Sequence, residues 1–355
     1  MIKKIDIFNF RGISHLEIDG FEQVNLLVGK NNSGKSTVLE AIFLNLGAIN
    51  PNLTHSINSM RFYDKIDDMA FRSFFYNFKI DESIKINMTV KAPKQYRDLE
   101  ISALYSEPRN GITINLKDVE GSENSALMSA KIKGLESKFR FKTSSKGNYQ
   151  EFKSNLILDN SGVKIEFPQD YSEKLFGIFL SPRKFFTQDM VNRLEQIKFR
   201  KEEGMLIEIL KEVEPDLQKL EILANNVIAA DIGKNNLIPL YLMGDGIVRL
   251  MSIILTIYEH KNGYILIDEI ENGFHHKTLD ILWRAVFKLA KLTNTQIFAT
   301  THSWENIVKF NKVLEQEKFY NTNLFRIEHH HEKNKVINYD RELLDQTINS
   351  NWELR

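Results

Sequence analysis

The sequence predicts an α/β fold: a core of buried strands and helices, split by an inserted antiparallel β region and a small helical lobe. Three observations carry this prediction. A glycine loop, Gly29-Lys30-Asn31-Asn32-Ser33-Gly34-Lys35-Ser36, sits between an apolar strand and an apolar helical stripe. From about 77 to 180 the chain alternates apolar and polar residues. From 237 onward, short and nearly all-apolar runs return between helical stripes.

The elements follow in order. Residues 1–28 read as two or three strands, because Ile5–Phe10 and His15–Ile18 alternate and Val24-Asn25-Leu26-Leu27-Val28 is an apolar run. After the loop, Val38, Ala41, Ile42 and Leu46 fall at helical spacing. Strand, glycine loop and helix form the context in which G-x-x-x-x-G-K-[ST] is a phosphate loop rather than a glycine-rich turn. Backbone N–H groups along Gly29, Asn31, Asn32, Ser33, Gly34 and Thr37 are then expected to wrap phosphates, helped by the positive end of the helix. Lys35 is expected to reach the β- and γ-phosphates, and Ser36 to hold Mg²⁺. Residues 49–76 permit no assignment. Ile84–Val90, Leu99–Leu104, Ile112–Leu116 and Phe139–Lys142 read as strands of an antiparallel sheet with one wet face. Residues 189–228 read as helical, with stripes at Val191, Leu194, Ile197 and at Leu206, Ile209, Leu210, Val213, interrupted by Pro215. No heptad repeat persists there. Beyond 340 a polar tail is expected.

Bulk properties narrow the classes. Lys+Arg and Asp+Glu are both 47, so zero net charge makes no case for nucleic acid, although a local basic face stays open. With no cysteine there is neither a disulfide framework nor a thiolate metal site, which suits a reducing cytoplasm. Met1-Ile2-Lys3-Lys4-Ile5-Asp6 lacks the apolar stretch of a signal peptide, and no run is long enough for a membrane helix.

Three later segments bear on chemistry. Tyr264-Ile265-Leu266-Ile267-Asp268-Glu269 is a short apolar strand ending in two acids, a Walker B pattern. Asp268 is expected to order Mg²⁺, and Glu269 to polarise the attacking water. Gln296–Ser303 is a second apolar strand; its terminal His302 is placed to donate to a γ-phosphate and to couple to Glu269. Met243-Gly244-Asp245-Gly246 opens an apolar helix from Ile247 to Tyr258, and glycines at a helix N-terminus make an anion site. Residues 29–36 already fill that role for this chain, so this segment reads either as an ordinary loop-to-helix start, the plainer reading when taken alone, or as a site for a nucleotide held by another subunit.

The order of these motifs resembles that of ABC-type ATPase heads. Phe8-Asn9-Phe10-Arg11-Gly12 together with Leu26–Thr37 looks like the RecF, SMC and OLD group. Asp268-Glu269-Ile270-Glu271-Asn272-Gly273-Phe274-His275 and the Gly-Asp-Gly signature look most like OLD-type ATPases. The resemblance implies an ABC-type P-loop ATPase head over residues 1–355: an N-terminal core at 1–76, an antiparallel β region at 77–185, a helical lobe at 186–236, and signature, Walker B and switch histidine at 237–345. It implies ATP and Mg²⁺ as ligands, with Arg11 approaching the nucleotide and Gly244, Asp245 and Gly246 facing the γ-phosphate held by a homodimeric partner. The usual signature serine and D-loop aspartate are missing, with His275 at the latter position. No glutamine stands at Phe179–Arg183, leaving Ser181 or Gln188 for that role. The lobe is too short for the coiled coils of SMC proteins, and the segment after His302 too short for a Toprim nuclease. A separately encoded effector, such as a Toprim-like nuclease in anti-phage defence, is therefore expected. DNA clamping like that of RecF is the alternative, and a nucleotide-gated scaffold with little turnover is a third. His329–His331 reads as a hairpin turn rather than a metal site.

Overall fold

The computed structural model describes residues 1–91, 94–105, 132–143, 147–159, 162–182, 188–330 and 333–350. In chain order the elements are β1 (Ile2–Phe10), β2 (Ile13–Asp19), β3 (Val24–Val28), α1 (Lys35–Leu46), α2 (Asn52–Met60), α3 (Asp68–Arg72), β4 (Ile84–Val90), β5 (Gln95–Tyr105), β6 (Ile132–Thr143), β7 (Gln150–Asp159), β8 (Gly162–Glu166), β9 (Gly177–Leu180), α4 (Gln188–Phe199), α5 (Gly204–Lys211), β10 (Lys219–Leu223), β11 (Val227–Asp231), β12 (Ile238–Pro239), α6 (Asp245–Glu259), β13 (Tyr264–Ile267), α7 (Leu279–Thr293), β14 (Gln296–Thr300), α8 (Trp304–Glu317), β15 (Thr322–His330), β16 (Lys333–Tyr339) and α9 (Arg341–Asn349).

One sheet runs β16-β15-β3-β14-β13-β9, parallel throughout except for β16. Its central strands β3, β14 and β13 are buried along their whole length because both faces are covered. Leu26, Val28, Ile265, Ile267, Ile297 and Ala299 point into a core built with α4 to α8. Their alternates Leu27, Tyr264, Leu266 and Phe298 point into a second core with α1 and the antiparallel sheet. That second sheet runs β2-β1-β4-β5-β6-β7-β8 and is antiparallel at every pairing.

The parallel register decides where chemistry can occur. Ile267 pairs with both Ala299 and Leu180, and Thr300 pairs with Leu27. The glycine loop after β3, the acids after β13 and the turn after β14 therefore leave the sheet at one edge, the carboxyl ends of its strands.

Arg97 joins the antiparallel sheet to α1. It is fully buried and donates to the Asn45 carbonyl at 2.8 Å, to Asn45 Oδ1 at 3.1 Å and to Glu173 at 2.6 Å. The guanidinium also stacks over Phe139, 4.6 Å from the ring centre. α1 carries no basic residue in its last turn, so Arg97 supplies the positive charge and the donors that its final carbonyls lack.

Three expectations need correction or restriction. The stretch expected to be helical to 228 folds at its end into the hairpin β10–β11, which pairs onward with β12. Asn225 and Asn226, both at positive φ, make its turn, the conformation a tight hairpin requires. The tail beyond 340 is not featureless: Asp340 caps α9 by accepting from the Leu343 N–H at 2.9 Å. The strand expected at Ile112–Leu116 lies outside the described residues. The unassigned segment 49–76 forms α2 and α3.

Replacing Arg97 by Ala would leave a part-buried carboxylate without its cation and strand two helix-end carbonyls. We expect R97A to lose about 3–5 kcal/mol of stability, measured as a lower urea midpoint at unchanged slope. E173Q, which keeps the hydrogen-bonding shape, should lose much less.

Candidate active site

The loop after β3 closes through a Ser33 N–H to Lys30 carbonyl bond of 3.2 Å and turns into α1 at Gly34, whose φ is 104°. Gly29 has to be glycine. Its φ is 140°, and a Cβ would lie 2.3 Å from the Ile327 carbonyl oxygen of β15. Lys35 is buried beneath the loop, where Nζ donates to the Gly29 carbonyl at 2.8 Å and the Lys30 carbonyl at 2.9 Å. Burial pushes its ammonium below the ordinary lysine value, opposed by the fields of Asp268, Glu271 and Glu269.

Ser36 donates to Asp268 Oδ1 at 2.8 Å, joining the start of α1 to the end of β13. Thr300, fully buried at the end of β14, donates to the same oxygen at 2.6 Å and accepts the Glu269 N–H at 2.8 Å. One threonine hydroxyl thus orients the first carboxylate and positions the backbone of the second. Glu269 stands at φ 47°, so the chain kinks as it leaves the strand. That kink explains a departure from expectation. His302 faces Glu271, not Glu269: Nδ1 lies 3.5 Å from Glu271 Oε1, which also accepts the His302 N–H at 3.1 Å.

Arg11 and Arg61 flank Glu40, at 2.7 and 2.6 Å. Arg11 also donates to Asn58 at 2.9 Å and stacks over Phe74 at 4.9 Å. Burial pulls Arg11 down, with Glu40 opposing. Burial also acts on Arg61, but there Glu40 prevails and the net shift is upward. Both guanidiniums line a cavity of about 390 Å³ with Gly12, Asn32, Ser33, Gly34, Lys35, Ser36 and Thr37. Asn31 opens instead onto a neighbouring cavity of about 450 Å³ bounded by Arg326 and Glu328. Gly244, Asp245 and Gly246 line neither. They form the start of α6, where Gly244 and Asp245 are exposed and no side chain caps the helix.

Sequence reasoning missed Thr300, Arg61, Glu40, Glu271 and Arg249. Arg249 is fully buried in α6 and donates to the Ser181 carbonyl at 2.9 Å and the Asp268 carbonyl at 3.2 Å. Burial pulls it down to about 10 against the pull of Asp268, Glu269 and Glu271. It ties the helix that starts at Gly244 to the end of β13 and to the chain after β9. Its signal was available: the lone charge in the apolar stretch from Ile247 to Tyr258 is rarely left without partners.

Ser36 and Asp268 offer hard oxygen donors within hydrogen-bond distance of each other, a donor set suited to Mg²⁺ shared with phosphate and water. Among the described residues, no cluster of three His, Cys, Asp or Glu forms an all-protein metal cage. No helix among them is long and apolar enough to cross a membrane.

Comparison with known proteins gives the following. The family described as "AAA domain, putative AbiEii toxin, Type IV TA system" matches residues 24–308. A Helicobacter pylori protein described as an ATP/GTP phosphatase is 26% identical over 354 residues, covering 92% of each chain. RecF, the DNA replication and repair protein of Nitrosococcus oceani, is 49% identical over 43 residues, 12% of each chain. A solved SmcHead, bound to the C-winged helix domain of ScpA, superposes with a TM-score of 0.52 at 13% identity. That superposition covers 97% of this chain and 99% of that one, a likeness of fold.

Replacing Thr300 by Val keeps shape and volume while removing the hydroxyl. T300V should fold and bind ATP, yet release phosphate about 10–100-fold more slowly in a steady-state assay.

Proposed function

The chain belongs to that family of AAA domains, and on this premise we propose that it hydrolyses ATP as a head-to-head homodimer and controls a separately encoded effector. Its fold is the ABC-type P-loop ATPase head. The carrying observation is the convergence of Lys35, Ser36, Asp268 and Thr300 at one sheet edge, while the open start of α6 lies outside that cavity.

In this reading Lys35 moves from the loop carbonyls to the β- and γ-phosphates. Loop N–H groups and Thr37 hold the phosphates, with Arg11 and Arg61 on the far wall. Ser36 and Asp268 hold Mg²⁺, which when bound neutralises charge on the phosphate oxygens. Glu269 takes a proton from the attacking water, whose oxygen bonds to the γ-phosphorus as the β–γ bridge breaks and ADP leaves. His302 donates to the γ-phosphate oxygens, with Glu271 holding its ring.

The start of α6 completes the site from the second copy. Its uncapped N–H groups around Gly244–Gly246 meet the partner's γ-phosphate. Tyr241 and Leu242, 58% and 66% exposed just before it, supply apolar area to the contact. Through Arg249, docking at α6 is felt at the Asp268 carbonyl, so turnover and dimer closure are coupled. ATP closes the dimer and hydrolysis opens it.

The effector role rests on analogy with OLD-like ATPases, including an assignment to anti-phage defence and a Toprim-like nuclease as partner. The solved SmcHead with a bound winged-helix domain supports the weaker idea that such a head can carry a partner protein. The short RecF match favours a second reading, an ATP-driven clamp on DNA. ATP-stimulated affinity for duplex DNA that falls steeply with salt would support that second reading.

Glu269→Gln removes the base and keeps the shape. E269Q should lower phosphate release by about 10²–10⁴-fold while ATP still binds and drives dimers visible by light scattering. Unchanged turnover would remove Glu269 from the mechanism.

A further inference from the structure

The cavity beside the phosphate loop has a second wall that the hydrolysis chemistry does not use. It continues from Gly34–Thr37 to Ser73, Phe75, Asn77 and Phe78. The carboxylates lie the other way: Asp268 meets the loop at Ser36, and neither Asp268 nor Glu269 lines this cavity. A triphosphate with its γ end at the acids can extend its nucleoside along this wall toward Phe78.

Phe78 is held there at a cost. Asn77 and Phe78 are consecutive residues at φ 49° and 58°, left-handed backbone that an aromatic residue rarely adopts. The turn is built to keep them so. Phe78 N–H donates to the Phe75 carbonyl at 3.0 Å, and Lys79 N–H to the Tyr76 carbonyl at 3.0 Å. The buried Asn9 at the end of β1 clamps the turn, accepting the Tyr76 N–H at 3.1 Å and donating to the Glu82 carbonyl. Phe75 is bridged to Phe10, and the Arg11 N–H donates to the Phe74 carbonyl at 2.7 Å. Folding alone gains little from the ring, since Phe78 is 55% exposed. A large apolar side chain, strained and unburied on the wall of a ligand cavity, is suited to present its face to a flat ring.

We propose that Phe78 is the nucleobase-stacking residue of this site and makes it select purine nucleoside triphosphates; the proposal rests on the ATPase reading. A phenyl face carries no hydrogen-bond donor or acceptor. Stacking on it favours the larger purine ring system over a pyrimidine and does not separate adenine from guanine. Arg11 and Arg61 line the same cavity as the loop and the ring.

The test measures binding of ATP, GTP, UTP and inorganic tripolyphosphate, each with Mg²⁺, to the full chain by calorimetry. The variants are F78N, F78W and K35A. Asparagine tolerates the left-handed conformation, so F78N removes the ring while keeping the turn, and its thermal midpoint should not fall. F78N should bind ATP and GTP about tenfold more weakly, lose the preference over UTP, and bind tripolyphosphate as the unaltered chain does. F78W should restore purine binding. K35A should lose every ligand, tripolyphosphate included. ATP binding that survives in F78N, or a loss shared equally by tripolyphosphate, overturns the stacking role and leaves the phosphate site standing. An unaltered chain that binds neither ATP nor tripolyphosphate overturns the ATPase reading and this proposal with it.

Discussion

The parallel pairing of β3, β14 and β13 is the constraint on which everything else depends. These strands start at residues 24, 296 and 264, yet their register brings Gly29, Thr300 and Asp268 to one edge. Slipping one strand by a residue would exchange its faces between two cores, moving residues such as Leu26 and Leu27 into each other's surroundings. The two cores therefore fix the register, and the register fixes the site. The bond from Ser36 to Asp268, across 232 positions of chain, follows from that packing.

Around this edge the protein places charges where burial alone would disfavour them. Lys35, Arg11 and Arg249 are all pulled down by burial, each opposed by carboxylates. Buried cations of this kind add little to stability compared with apolar residues of the same volume. In the proposed function they hold donors or backbone in place before a ligand arrives, which would preorganise a site for phosphate. Arg249 and Thr300 extend this preorganisation: neither carries out chemistry, but each fixes the backbone or carboxylate of a residue that is proposed to.

The parts legible in the sequence were local ones. The glycine loop, the apolar strand ending in Asp268-Glu269 and the strand ending in His302 each announce themselves within eight residues. The α/β class and the antiparallel region were legible because strand periodicity is short-ranged. What escaped depended on distant packing. Thr300 reads as a strand residue until its neighbours across the sheet are known. The partner of His302 was misjudged because a positive φ at Glu269 turns the following acids, and no residue type there announces such a turn. The hairpin β10–β11 reads as helix in the sequence because its strands are five residues each, although Asn225-Asn226 marks its turn. Glu40 sits in α1 and Arg61 just after α2, and only the fold brings them to Arg11.

In the proposed function each catalytic site is made from two copies. Mixing two inactive variants tests it most directly. K35A disables the phosphate loop, and G244E puts a carboxylate at the open start of α6, where a side chain at Gly244 meets nothing within 4 Å although its φ of 98° strains the backbone locally. Neither variant should release phosphate alone and an equimolar mixture should, because mixed dimers contain one site with both halves intact. A G244E chain as active as the unaltered protein, or a mixture as inactive as its components, would contradict it.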